Sequence, residues 1–213
     1  MQAVLPAQFN RLYKLAFGFA VFTIVFNIVE GSVATFFGYS DESLALFGFG
    51  IDSFIEVISG IGIAHLVWRV QRNAKSERDD FERTALQITG FAFYALVCGL
   101  FATAVYNIWS GSKPETTFWG VIVSLVSILV MLVLIVGKTR VGKQLDSKAI
   151  LADAECTKVC VYMSVILLAS SLIYELTDFA YIDIAGAFGI AFLAYKEGRE
   201  CFEKARGNAY CAC

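Results

Sequence analysis

The chain has 213 residues, of which 58% are hydrophobic and 17% charged, with a formal net charge of −2 and a mean hydropathy of +0.66. A water-soluble domain normally carries about 25% charged residues. The composition therefore excludes one and marks an integral, multi-pass membrane protein, with the lipid bilayer as its surroundings and no nucleic-acid partner expected.

Apolar runs of about twenty residues, the length that spans a hydrocarbon core at helical rise, recur along the chain. The first, Leu15–Phe37, is too long for the apolar part of a signal peptide and lacks a small-residue exit, so it is expected to stay as the first helix. It carries Asn27 and Glu30 toward its outer end. A brief turn, Tyr39–Glu42, leads to the second span, Ser43–Trp68, which contains Asp52 and Glu56 and ends near His65. Gly48, Gly50, Gly60 and Gly62 make this span suited to close helix contact. A charged segment, Arg69–Arg83, precedes the third span, Thr84–Trp109, whose Cys98 reads as a small hydrophobe. The loop Ser110–Thr116 joins it to the fourth, Thr117–Gly137, and a basic loop, Lys138–Lys148, to the fifth, Ala149–Leu172. The fifth holds Asp153, Glu155, Cys156, Lys158 and Cys160. After an acidic turn, Tyr174–Asp178, comes a short sixth span, Phe179–Tyr195, and then a segment with Cys201, Cys211 and Cys213.

The fold class is thus an all-α membrane protein with six transmembrane helices. Residues 1–196 are expected to form the six-helix transmembrane domain and 197–213 a short cysteine-containing cytoplasmic tail. Charge fixes the orientation. The basic residues of the termini, of Arg69–Arg83 and of Lys138–Lys148 fall on one side, while Lys113 stands opposite with Asp41, Glu42, Glu115, Glu175 and Asp178. Basic loops stay inside, so both termini are cytoplasmic and the expected location is the cell (inner) membrane. With no cysteine in an outward loop, no disulfide framework is expected.

Asp52 and Glu56 are four residues apart, as are Cys156 and Cys160, so each pair occupies one face of its helix. A carboxylate at the bilayer centre costs on the order of 2.5–3.5 kcal/mol by insertion scales; two of them imply a function. Counted from the outer ends, Asp52 is expected at the depth of Cys160 and Glu56 at that of Cys156. Two carboxylates and two thiolates supply a four-ligand set suited to zinc, and the thiolates suit cadmium. Asp153 lies on the cysteine face one turn below. Glu30, His65 and the tail thiols Cys211 and Cys213 are further candidates for a metal or proton path. Glu155 points away from the cysteines, toward Lys158.

The second span, Ser43-Leu-Ala-Leu-Phe-Gly-Phe-Gly-Ile-Asp52-Ser-Phe-Ile-Glu56, resembles the S-x-A-x…D-S-x-x-[DE] helix of the cation diffusion facilitator family. Ala152-Asp153-Ala-Glu-Cys156-Thr-Lys-Val-Cys160 is similar to that family's A-D-x-x-H-x-x-x-D helix, and Ile182-Asp183-Ile-Ala-Gly-Ala-Phe-Gly-Ile to its A-D-P-x-x-A-x-x-I element. The resemblance implies that Asp52, Glu56, Cys156 and Cys160 form one transport site. It also implies export of zinc or similar divalent ions in exchange for protons, by a homodimer. Two departures stand out: cysteines replace the histidine and aspartate of the fifth helix, which favours softer ions, and the family's cytoplasmic C-terminal domain is not expected here.

The expected function is a secondary transporter that exports zinc, and cadmium with it, by proton antiport; it is not an enzyme and needs no cofactor. One alternative is a membrane protein that binds or senses metal without transport. A second is a membrane thiol oxidoreductase using Cys156 and Cys160, whose spacing is one residue longer than C-x-x-C.

Overall fold

The computed structural model describes residues 7–72, 80–111, 113–179 and 181–206. These form six long helices: α1 (Ala7–Ser40), α2 (Leu44–Arg72), α3 (Asp80–Ser110), α4 (Phe118–Gln144), α5 (Lys148–Thr177) and α6 (Tyr181–Arg206). Five carry stretches long and apolar enough to cross a membrane; in α6 the apolar run is cut by Lys196 and Glu197. Large apolar side chains face outward along these helices, among them Phe22, Val29, Phe36, Phe91, Leu129 and Val133. In water that surface would be untenable, and in lipid it is the solvent-facing surface. Trp109 and Tyr39, at the ends of α3 and α1, are among the most exposed residues, as interfacial aromatic anchors are.

The helices outrun the expected spans, because a helix need not stop where hydrocarbon does. Residues 174–177, expected in a turn, belong to α5, which is capped by Asp178 in a left-handed conformation (φ 52°) and a bond from its N–H to Tyr174 O. The expected loop Lys138–Lys148 shrinks to 145–147, since α4 runs on to Gln144. Helix α6 likewise continues past Tyr195 to Arg206.

The connections confirm an up-and-down path. Glu115 N–H bonds to Asp41 O (2.9 Å), Thr117 N–H to Glu175, and Lys113 pairs with Asp178 (3.4 Å), so the α1–α2, α3–α4 and α5–α6 links share one end. At the opposite, basic end Tyr13, Val67, Val141, Leu145 and Ile150 pack together. The six described helices alternate in direction, so α6 ends on the side where α1 begins. The helices associate most closely as pairs α1–α2, α4–α5 and α3–α6, with α2 and α5 also meeting at the centre.

Lipid gives helices no hydrophobic reason to associate, so small residues and interhelical hydrogen bonds do the joining. Between α1 and α2, a Cβ on Gly38 would overlap the backbone nitrogen of Phe47, and one on Gly50 would lie 2.5 Å from Thr35 N. Gly48 and Gly62 similarly abut α3, at Leu100 and Ala85. Between α4 and α5, Ser164 donates to Ser127 (2.9 Å) and Gly120 makes room for Ser171. At the outer end Asp183 of α6 reaches the start of α2, accepting from Ser43 Oγ (2.6 Å) and Leu44 N–H (2.8 Å).

Candidate metal-transport site

Helices α2 and α5 cross with their polar steps facing one another. Cys160 Sγ donates to Glu56 Oε1 at 2.7 Å, and Asn27 Nδ2 of α1 donates to Glu56 Oε2 at 2.9 Å. One carboxylate thus ties three helices together. Both bonds leave Glu56 acting only as an acceptor, the form in which a carboxylate also takes a cation.

The register differs from the sequence expectation by one turn: Cys160 meets Glu56 instead of Asp52. The reason is the length of α5. It extends past Leu172 to Thr177 at the outer end, so its cysteines lie deeper than the shorter span implied. Asp52 is 2% exposed, and its Oδ1 is buried without a hydrogen-bond partner. It lies within electrostatic reach of Glu56 and Glu30.

Cys156 takes a different neighbour from Cys160. Its Sγ accepts from Lys204 Nζ of α6 at 3.4 Å. The two thiols share a helix face, yet one is directed to α2 and the other to α6. Asp153 pairs with Lys138 Nζ at 3.0 Å, and this lysine, 1% exposed, also donates to Thr157 Oγ1 at 2.9 Å. Glu155 pairs with Lys158 at 2.6 Å, off the cysteine face as expected.

A cavity of about 80 Å³ connects these groups. Its head is Asn27, Glu56 and Cys160 at mid-helix, and it passes Ser59, Gly60, Cys156 and Asp153 to Leu66, Glu197, Cys201 and Lys204 near the basic end. A space of this size holds several waters, given that one needs roughly 10–15 Å³ by this measure. Toward the outer end the helices are joined by Asp183 on Ser43 of α2, by Glu175 on Thr116 and Thr117, and by the stacked rings of Phe37 and Trp119 (3.9 Å between centroids).

Among the described residues no three His, Cys, Asp or Glu side chains converge closely enough to hold a metal ion as they stand. Glu56 and Cys160 are joined directly, Cys156 and Asp153 share their cavity, and Asp52 is buried beside Glu56 but does not line it. Glu30 accepts from Ser53 Oγ (3.1 Å) and His65 packs near Trp68; neither lines the cavity. Cys211 and Cys213 lie outside the described residues. Among the cavity residues that escaped the sequence reading as site candidates are Asn27, Glu197, Cys201 and Lys204. The last three recur at i, i+4 and i+7, a helical stripe just past the end of the apolar run.

Residues 19–206 match the family model described as the cation efflux transmembrane domain, a stretch that takes in most of α1 and ends with α6.

Proposed function

Because the chain belongs to the cation efflux family, we propose that it exports zinc and cadmium from the cytoplasm in exchange for protons, with Asp52, Glu56, Cys156 and Cys160 as the transport site. The observation that carries this reading is the Cys160–Glu56 contact across α2 and α5, at the head of a cavity leading to the basic end. By the positive-inside rule that end is cytoplasmic, the side from which cargo enters in this reading.

The chemistry follows from what the contact holds. In the metal-free site the proton of the Cys160 thiol lies between sulfur and carboxylate. A divalent cation needs both atoms as anionic ligands, so its arrival expels that proton. Protons returning from the outer side compete for the same atoms and release the metal. Competition for one set of atoms is sufficient for antiport, and movement of helix pairs about a mid-membrane site supplies alternating access. Asn27 orients Glu56 through its second oxygen, as outer partners of metal ligands do. The buried oxygen of Asp52 without a partner is a donor in reserve, one turn further out. Sulfur ligands tilt the preference toward softer ions than an all-oxygen and nitrogen site would take. Two copies associating through their membrane helices are the assembly this reading favours.

The test is metal flux into proteoliposomes under an imposed pH gradient. Zinc and cadmium uptake should follow the gradient in the unaltered protein and fall to background in Glu56→Gln and Asp52→Asn. Flux undiminished in Glu56→Gln overturns the site. Stoichiometric metal binding with no flux in the unaltered protein would instead make it a binding protein.

A further inference from the structure

Helix α5 turns four side chains to the cavity that can engage a cation: Asp153, Cys156, Thr157 and Cys160. The two that carry oxygen are both held by one lysine of α4. Lys138 Nζ meets Asp153 Oδ2 at 3.0 Å and donates to Thr157 Oγ1 at 2.9 Å, and that hydroxyl donates in turn to Asp153 O (2.9 Å). The two that carry sulfur are not held by it. Lys138 is 1% exposed and does not line the cavity, so it grips this turn of α5 from the α4 side. The grip closes a seam of constant register. Gly120, Ser127 and Lys138 of α4 face Ser171, Ser164 and Asp153 of α5, and the steps between them are equal on the two helices. Packing alone does not call for charges at the inner end of that seam. A buried ion pair can often be replaced by apolar side chains of similar volume without loss of stability. What the pair does is electrostatic. Asp153 stands three residues before Cys156, a neighbouring position on the helix surface, and without a partner it would be a hard oxygen donor beside a soft sulfur donor.

We propose that Lys138 is a specificity-determining residue for transport: by engaging Asp153 and Thr157 it withholds their oxygens from a cation in the cavity, so that α5 offers the cargo sulfur alone. A cation that favours oxygen, such as manganese, then finds its ligands on α2 only, whereas cadmium gains both thiols. Lys138 touches no cargo. It acts through Asp153 and Thr157, and its charge balances a carboxylate that would otherwise draw any divalent cation. The inference rests on the transport-site reading, in which Cys156 and Cys160 are the ligands that α5 contributes.

The experiment is cadmium uptake by the full-length protein in proteoliposomes under a pH gradient, with manganese as competitor. It reads the ratio of the manganese inhibition constant to the cadmium KM. In Lys138→Met that ratio should fall by roughly tenfold, the lower end of what altering an outer partner of a metal site brings. Lys138→Met with Asp153→Asn removes both charges and should restore the unaltered ratio; a pair that only held the helices together would leave the ratio unmoved throughout. Asp153→Asn alone keeps an acceptor for Lys138 but leaves its charge unbalanced. It should raise both constants by the same factor and leave their ratio unchanged. An unchanged ratio in Lys138→Met overturns the proposal. So does a ratio that rises in Asp153→Asn, which would mean that Asp153 already binds the cargo; this variant decides alone if Lys138→Met does not fold. The transport-site reading fails separately, by undiminished flux in Glu56→Gln.

Discussion

Glu56 is a carboxylate with both oxygens engaged, one by a thiol and one by an amide. Its neighbours decide which cation it meets. Replacing Cys156 by His and Cys160 by Asp restores the donor types of the related helix pattern and removes both soft ligands. The double variant is expected to shift preference from cadmium toward zinc, read as the ratio of the two fluxes; an unchanged ratio would show that selectivity lies elsewhere. At the outer end a different carboxylate is under strain. Burial, together with the carboxylates of Glu115 and Glu175, holds the Asp41 carboxyl above its ordinary range, and its Oδ2 lacks a hydrogen-bond partner. The folded protein thus keeps this proton more tightly than the unfolded chain, so its contribution to stability declines as pH rises through the titration. Asp41→Asn should raise the Tm at about pH 7 and leave it unchanged below about pH 3, where the carboxyl is protonated in both states. Asp52, Glu56 and the cysteine pair were legible from the sequence because ionisable groups in apolar runs are conspicuous. Lys138 and Lys204 were not, because lysines at the end of an apolar run read as loop or tail. Only the fold shows them turned inward.

At the scale of elements, the α1–α2 seam depends on the absence of side chains. A methyl group on Gly38 would collide with the Phe47 backbone, which cannot yield as a flexible side chain can. Gly38→Ala is therefore expected to destabilise the protein by about 1–3 kcal/mol, the usual range for overpacking. Gly99 on α3 has nothing within 4 Å of its would-be Cβ. Gly99→Ala should be neutral or stabilising by up to roughly 1 kcal/mol. Thermal unfolding in one detergent compares the two, and equal effects would refute the seam. The helices themselves were readable from hydropathy, and their count is right. Their ends were not, since hydropathy reports where lipid stops while hydrogen bonds report where the helix stops. That difference displaced the α2–α5 register by a turn. Glycines around the second span were expected at helix contacts, but hydropathy does not say which helix each would meet.

For the molecule as a whole, closure of the outer end depends on a residue far along the chain. Asp183 supplies the acceptor for the first N–H groups of α2, a helix that begins 139 residues earlier by its closest backbone bond. An anion at a helix N-terminus is worth up to about 2 kcal/mol in a partly buried setting. Asp183→Ala should lower stability by about that amount and also loosen the outer end. The second effect is checked by labelling a single cysteine introduced at Leu46 with a membrane-impermeant reagent added outside, whose rate should rise in the variant. No change in rate would mean that the clasp stabilises without closing. The alternation of basic and acidic ends was visible in the sequence, whereas this long-range cap was not, because no local pattern joins residue 183 to residue 44.

The acid pair and the thiol pair are two ladders with the same rung spacing, mounted on helices that run in opposite directions. In the present register Glu56 is level with Cys160, and Asp52 has no hydrogen bond to its buried oxygen. If α5 advances one turn toward the outer end, about 5.4 Å, Cys156 comes level with Glu56 and Cys160 with Asp52. That step would set four ligands against one another where two meet now, and would part Cys156 from Lys204. Equal rung spacing on antiparallel helices thus offers the α2–α5 interface a second matched register, in which each sulfur would stand opposite an oxygen.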